Sequence, residues 1–192
     1  MSKISKESER IVTEKLLHTS NELEDKIVYA MCGIPASGKT TYVEAQIKEG
    51  NFPKTAFILN PDLVMESLPE YINDLKEKDA EKAFLKWEIP SRTLAYKLFH
   101  KARENGKTII VDMGCAREEN HQMLLLLKED GYKILMTHVK CDVDTAIKRT
   151  DKRERHTPAE MIYRRLNTLE ALIPQYQMLA EEFTEIETSG KF

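Results

Sequence analysis

A chain of 192 residues and 22.2 kDa, with 41% hydrophobic and 32% charged residues, is long enough for one domain with a real core and is neither disordered nor fibrous. Its 29 basic and 32 acidic residues give a formal net charge of −3, which excludes a general electrostatic pull towards nucleic acid or membrane and confines any polyanion site to a local patch. Three scattered cysteines without a CxxC pair, an amino terminus without an apolar core, and no apolar run near the roughly 20 residues that span a bilayer predict a soluble, cytoplasmic protein with no membrane partner.

Residues 3–24 read as a charged helix with Ile4, Ile11, Val12, Leu16 and Leu17 on or near one stripe. The expected organisation is therefore an N-terminal helix over 1–25 and a single domain over 26–192. The helix packs on the flank of that domain or, alternatively, binds a partner. Ile27–Cys32, Thr55–Leu59, Thr108–Val111 and Lys133–Val139 have the length and β-branched bias of buried parallel strands, with Glu185–Thr188 as a weaker fifth. Helical segments at roughly 39–49, 63–75, 78–105, 117–130 and 142–150 separate them. Strand alternating with helix predicts an α/β domain with a parallel sheet. Thr157-Pro158-Ala159-Glu160 predicts a capped helix start, with Thr157 at N-cap, Pro158 at N1 and Glu160 reciprocating. That helix should end or kink at Pro174.

Between the first strand and its helix lies Gly33-Ile34-Pro35-Ala36-Ser37-Gly38-Lys39-Thr40, a complete GxxxxGK[ST] loop followed by Thr41. Glycine lets the backbone approach a phosphate closely enough for successive amides to bond it, and the following helix adds its positive end. ATP is the expected ligand, with Lys39 bridging the β- and γ-phosphates and Thr40 ligating Mg²⁺. Asp112 ends the buried strand Thr108–Val111 and fits a second, water-mediated partner for that cation; alone it would equally be a turn aspartate.

A P-loop names a ligand and not a reaction. The guanine-reading Asn-Lys-x-Asp segment of GTPases and the Leu-Ser-Gly-Gly signature of transporters are missing, and the chain is too short for a hexameric ATPase with its lid subdomain. A small kinase remains. Leu59-Asn60-Pro61-Asp62 stands at the carboxyl end of the second strand, the edge where such sheets place substrates. A hydroxyl acceptor has a proton to lose, so Asp62 suits a general base, although Asn-Pro-Asp is also a good turn and helix cap. Lys148–Arg155 supplies Arg149, Arg153 and Arg155, which suit either a lid over the phosphates or a solvated helix end.

Together GIPASGKTT, Asn60-Pro61-Asp62, Trp87-Glu88, IIVD and Arg155-His156-Thr157-Pro158 resemble the P-loop kinase family of zeta toxins and polynucleotide 5′-hydroxyl kinases, over roughly residues 27–175. The resemblance implies a P-loop NTPase three-layer sandwich: a five-stranded parallel sheet in the order 2-3-1-4-5, flanking helices and an arginine-bearing lid. It implies that Asp62 activates the acceptor hydroxyl, that Glu88 contacts acceptor hydroxyls, and that Arg149 and Arg155 touch the ATP phosphates. After Asp112 this chain reads Met113-Gly114-Cys115-Ala116-Arg117, where zeta toxins carry Gly-Thr and an arginine; Arg117 is the matching acceptor contact, displaced by about one position.

The expected activity is transfer of the γ-phosphoryl group of ATP, with Mg²⁺, onto a hydroxyl of a small molecule or nucleotide-sugar. The alternatives are a nucleoside or polynucleotide kinase, disfavoured by the charge balance, and an ATP-binding regulatory module. An inhibitory protein partner stays open. Cys32, Cys115 and Cys141 fall at strand ends and are better read as packing residues than as nucleophiles. Trp87 reads as core, the five histidines lack metal-ligand spacing, and Thr188-Ser189-Gly190 occupies the place of an adenine loop in related kinases.

Overall fold

The computed structural model describes residues 3–17, 25–77, 79–152 and 157–190. In chain order the elements are α1 (Lys6–Leu16), β1 (Ile27–Cys32), α2 (Lys39–Glu49), β2 (Phe57–Leu59), α3 (Pro61–Glu66), α4 (Pro69–Glu77), α5 (Ala80–Glu104), β3 (Ile109–Val111), α6 (Glu118–Glu129), β4 (Lys133–Lys140), α7 (Val143–Asp151), α8 (Ala159–Leu179) and β5 (Glu182–Glu187). The strands form one five-stranded parallel sheet in the order β2-β3-β1-β4-β5, the P-loop NTPase arrangement. β3 is buried at every position, as a central strand covered by helices on both faces must be. β5 closes an edge and carries Glu182, Glu185 and Glu187, charges that discourage further strand pairing.

By its contacts the chain divides into two compact units, Met1–Asp25 with Thr55–Ile109, and Lys26–Lys54 with Ile110–Phe192. In the first, α3, α4 and β2 pack on α5. Trp87 of α5 is buried and its indole N–H donates to the buried Asp74 of α4 at 2.7 Å, while Lys86 pairs with the same carboxylate at 2.5 Å. The tryptophan is a core residue, as its sequence setting predicts. α1 joins this unit through Val12, fully buried, and through Lys15 Nζ, which donates to Ser67 Oγ at 3.1 Å. In the second unit β4 lies between β1 and β5, with Ile27 opposite Lys133 and Leu135 opposite Glu182, and α6 and α7 pack against α8. Ile34 and Ala36 form an apolar cluster with Ala146 of α7 and Ile162 of α8.

Several boundaries differ from the sequence reading. α1 ends at Leu16 with Leu17 as its C-cap, and residues 18–24 of the expected longer helix lie outside the described residues. The single helix expected over 63–75 is two. Pro69 disfavours helical geometry at Leu68, so α3 stops at Glu66 and α4 restarts at Pro69. The N-cap of α8 is Pro158 and not Thr157, and among the described residues no side-chain capping hydrogen bond is made there. α8 runs through Pro174 to Leu179. Pro174 and Glu170, whose carbonyl loses its helical partner there, are both exposed, on a helix face open to solvent. Among the described residues no helix is long and apolar enough to cross a membrane.

Candidate active site

The loop between β1 and α2 is shaped by its glycines. Gly33 has φ 155°, and a Cβ there would meet Val139 O at 2.6 Å and Ser37 Oγ at 2.7 Å. Gly38 sits at φ 95°, where a side chain would strain the turn into α2. Lys39 Nζ reaches back over the loop and donates to Gly33 O at 3.1 Å, Ile34 O at 2.7 Å and Ser37 Oγ at 3.2 Å. Its ammonium thus stands over the backbone expected to cradle phosphate. Pro35 is half-buried, Ile34, Ala36 and Ser37 are buried, and Thr40 and Thr41 are exposed at the start of α2.

Thr40 Oγ1 donates to Asp112 Oδ2 at 2.9 Å, which joins two residues 72 positions apart. A hydroxyl and a carboxylate side by side are hard oxygen donors at the mouth of the loop. That donor set fits Mg²⁺, which takes few protein oxygens and keeps several waters. Asp112 is buried at the end of β3, held by strand geometry instead of by a mobile loop.

The segment after Asp112 is tied down from two sides. Gly33 N donates to Gly114 O at 3.0 Å, and the buried Tyr176 hydroxyl of α8 donates to Cys115 O at 2.7 Å. Cys115 adopts φ 45°, and Arg165 Nη1 donates to the next carbonyl, Ala116 O, at 3.3 Å. Burial pushes the Cys115 thiol up to about 12 and the Cys32 thiol higher still, which suits packing and not nucleophilic chemistry. Burial also raises the half-buried Cys141 thiol. Arg117 is the N-cap of α6, with an exposed side chain.

Arg149 leaves α7 towards the loop and not towards solvent. Its Nη1 donates to Ala36 O at 3.1 Å, and its Nη2 donates to Thr188 O at 2.6 Å. The reading of Arg149 as part of a solvated helix end is thereby set aside. Thr188 Oγ1 in turn donates to Ser37 O at 2.8 Å. Arg165, Tyr176 and the Thr188 hydroxyl are the contacts that sequence reasoning missed. No local motif marks them; only the fold brings them to these loops.

Asp62 and Glu88 belong to the other unit, on α3 and α5, which pack together. Asp62 is exposed at the second position of α3. The cap is Asn60, whose Oδ1 accepts from Asp62 N at 2.9 Å and Leu63 N at 3.3 Å, so the helix-cap reading of Asp62 is replaced. One turn on, Glu66 has its carboxyl raised by burial and by the Asp62 charge. Glu88 pairs with Arg92 at 2.7 Å. Arg153, Arg155 and His156 lie outside the described residues.

A family model described as Zeta toxin matches residues 10–192. No curated protein sequence matches the chain. A structure from the PezAT chromosomal toxin–antitoxin system of Streptococcus pneumoniae superposes with a TM-score of 0.67 at 16% identity, covering 95% of this chain and 75% of that one. The AvrRxo1-ORF1:-ORF2 complex with ATP gives 0.61 at 18% identity, covering 95% of this chain and 59% of that one. A deoxyadenosine kinase from M. mycoides with bound dATP gives 0.50 at 19% identity, covering 84% and 91%. At these identities the structures show the shared fold, and this chain spans about three-fifths of the AvrRxo1 chain.

Proposed function

The chain belongs to the zeta toxin family of P-loop kinases, and we propose that it transfers the γ-phosphoryl group of ATP onto a hydroxyl of a small molecule or nucleotide-sugar. The observation that carries the proposal is the loop itself: Lys39 folded over a glycine-shaped backbone, with Thr40 bonded to Asp112 beside it. The ATP in the related AvrRxo1 complex supports the choice of donor.

In this reading Lys39 and the loop amides hold the β- and γ-phosphates and stabilise charge that grows as the bond breaks. Thr40 and Asp112 would hold Mg²⁺, whose charge would offset that of the phosphates. Asp62 accepts the proton of the acceptor hydroxyl, whose oxygen then bonds the γ-phosphorus while the β–γ bridging oxygen leaves with ADP. The exposure of Asp62 at the carboxyl end of β2, with the cap of α3 assigned to Asn60, supports this role. Glu88 and Arg117 serve the acceptor, and Arg149 and Arg155 supply positive charge around the phosphates. A small inhibitory protein is the proposed partner, after the toxin–antitoxin system to which the PezAT structure belongs.

A screen for label transfer from γ-labelled ATP to nucleosides, UDP-sugars and 5′-hydroxyl oligonucleotides tests the acceptor class. The expected result is transfer to a small-molecule or UDP-sugar hydroxyl. Transfer to oligonucleotides alone would replace this acceptor class by nucleic acid. Tight ATP binding without transfer to any acceptor would favour a regulatory module.

A further inference from the structure

Two consecutive carbonyls of the P-loop are held from outside it. Ala36 lies at φ 60°, in the left-handed region that an L-residue with a Cβ adopts at a cost. Its carbonyl accepts from Arg149 Nη1 at 3.1 Å, which helps to hold the unfavourable conformation. The next carbonyl, Ser37 O, accepts from Thr188 Oγ1 at 2.8 Å. A trans peptide points its C=O and the following N–H in opposite directions. With Ser37 O tied to Thr188, the Gly38 N–H points away from Thr188.

Thr188 is well placed to act as an anchor because it is itself fixed. Its N–H donates to Lys140 O at 3.0 Å and its carbonyl accepts from Arg149 Nη2 at 2.6 Å. Its hydroxyl proton is shared between Ser37 O and Lys140 O, the latter at 2.9 Å, and Arg149 Nη1 donates to Thr188 Oγ1 itself at 3.4 Å. The segment that follows is stitched to the start of α7: Asp142 N donates to Ser189 Oγ at 2.8 Å and Gly190 N to Thr145 Oγ1 at 3.2 Å.

We propose that Thr188 is a positioning residue for the nucleotide, which together with Arg149 fixes the P-loop backbone so that ATP meets a preformed cradle. The proposal rests on the reading of this loop as an ATP site. It adds a residue 151 positions from Ser37 that no P-loop motif contains. It also gives Arg149 a task in shaping the loop, separate from any contact with phosphate. A bond that merely closed the end of β5 would matter for stability and not for nucleotide affinity.

Thr188→Val removes the hydroxyl and keeps the shape, whereas Thr188→Ser keeps the hydroxyl. The affinity for ATP with Mg²⁺, measured by calorimetry, is compared with the thermal midpoint measured without nucleotide. Loss of one positioned hydrogen bond should weaken ATP binding about tenfold in Thr188→Val. The nucleotide-free midpoint should move by only a few degrees, and Thr188→Ser should restore affinity. Thr188 is only half-buried, so the fold should survive; Thr188→Ala gives the same comparison if the valine variant is not recovered folded. The proposal is overturned if the valine variant binds ATP as the wild type does, if Val and Ser weaken it equally, or if only the midpoint falls. A wild-type protein that does not bind ATP overturns the ATP reading itself, a result distinct from these three.

Discussion

Lys39 reaches three oxygens of its own loop, so its removal deletes charge at the centre of the cradle and little from the core. Lys39→Ala should slow transfer by about 100-fold or more, with the thermal midpoint nearly unchanged; initial rates at saturating ATP check this. Asp62→Asn is the sharper residue-level test. Because Asn60 caps α3, the amide at 62 should leave stability and ATP affinity intact. Acceptor phosphorylation should fall by roughly 100-fold, the usual span for a positioned base, and a fully active variant would remove Asp62 from that role. The P-loop was readable from the sequence because every residue it needs is contiguous. The contact of the Thr188 hydroxyl with Ser37 O, and those of Arg165 and Tyr176, were not, because each is made across the fold by tertiary structure.

At the scale of elements, hydrophobic patterning located β1, β2, β3 and β4 to within two residues. β5, expected over Glu185–Thr188, instead runs from Glu182 to Glu187 because its acidic residues mask the pattern, and helix ends were also weakly marked. The break between α3 and α4 was encoded at Pro69 but hidden by a continuous polar–apolar pattern. Of the two outcomes expected at Pro174, an end to the helix is excluded, since α8 continues past this exposed position to Leu179. Pro174→Ala should restore a backbone bond in α8 and raise the thermal midpoint, which calorimetry would show. Asp142 offers a pH test. As N-cap of α7 it accepts from Thr145 N and Thr145 Oγ1, both at 2.7 Å. These bonds, with Ser189 adding a further one, draw its carboxyl from 3.8 down to about 2. The unfolded chain therefore binds the proton more readily, and the stabilisation present above 3.8 is lost as the pH falls towards about 2. Asp142→Asn should be less stable than the wild type near neutrality, and the gap should close through this acid window in thermal melts. A gap that is constant with pH would contradict the charged cap.

For the whole molecule, composition predicts an ordinary globular domain, the alternation of strands with helices makes it α/β, and the sheet order β2-β3-β1-β4-β5 follows the resemblance that the motifs carry. Family membership covers residues 10–192, whereas the residues proposed for the acceptor, Asp62, Glu88 and Arg117, are scattered along the chain and form no contiguous motif comparable to the P-loop. The thiols report on the integrity of the folded molecule. With Cys32 and Cys115 buried and Cys141 half-buried, a disulfide reagent at mildly alkaline pH should titrate at most one thiol in the native protein and all three after denaturation. Two or more fast native thiols would contradict the packing around Cys32 and Cys115. The central claim, γ-phosphoryl transfer to a hydroxyl, is tested most directly by incubating the protein and Mg²⁺ with the acceptor mixture and ATP labelled at either the γ- or the α-phosphate. The account predicts label on an acceptor hydroxyl from γ-labelled ATP only, with Lys39→Ala and Asp62→Asn both deficient. Acceptor label from α-labelled ATP, or ATP binding with no acceptor labelled, would contradict it.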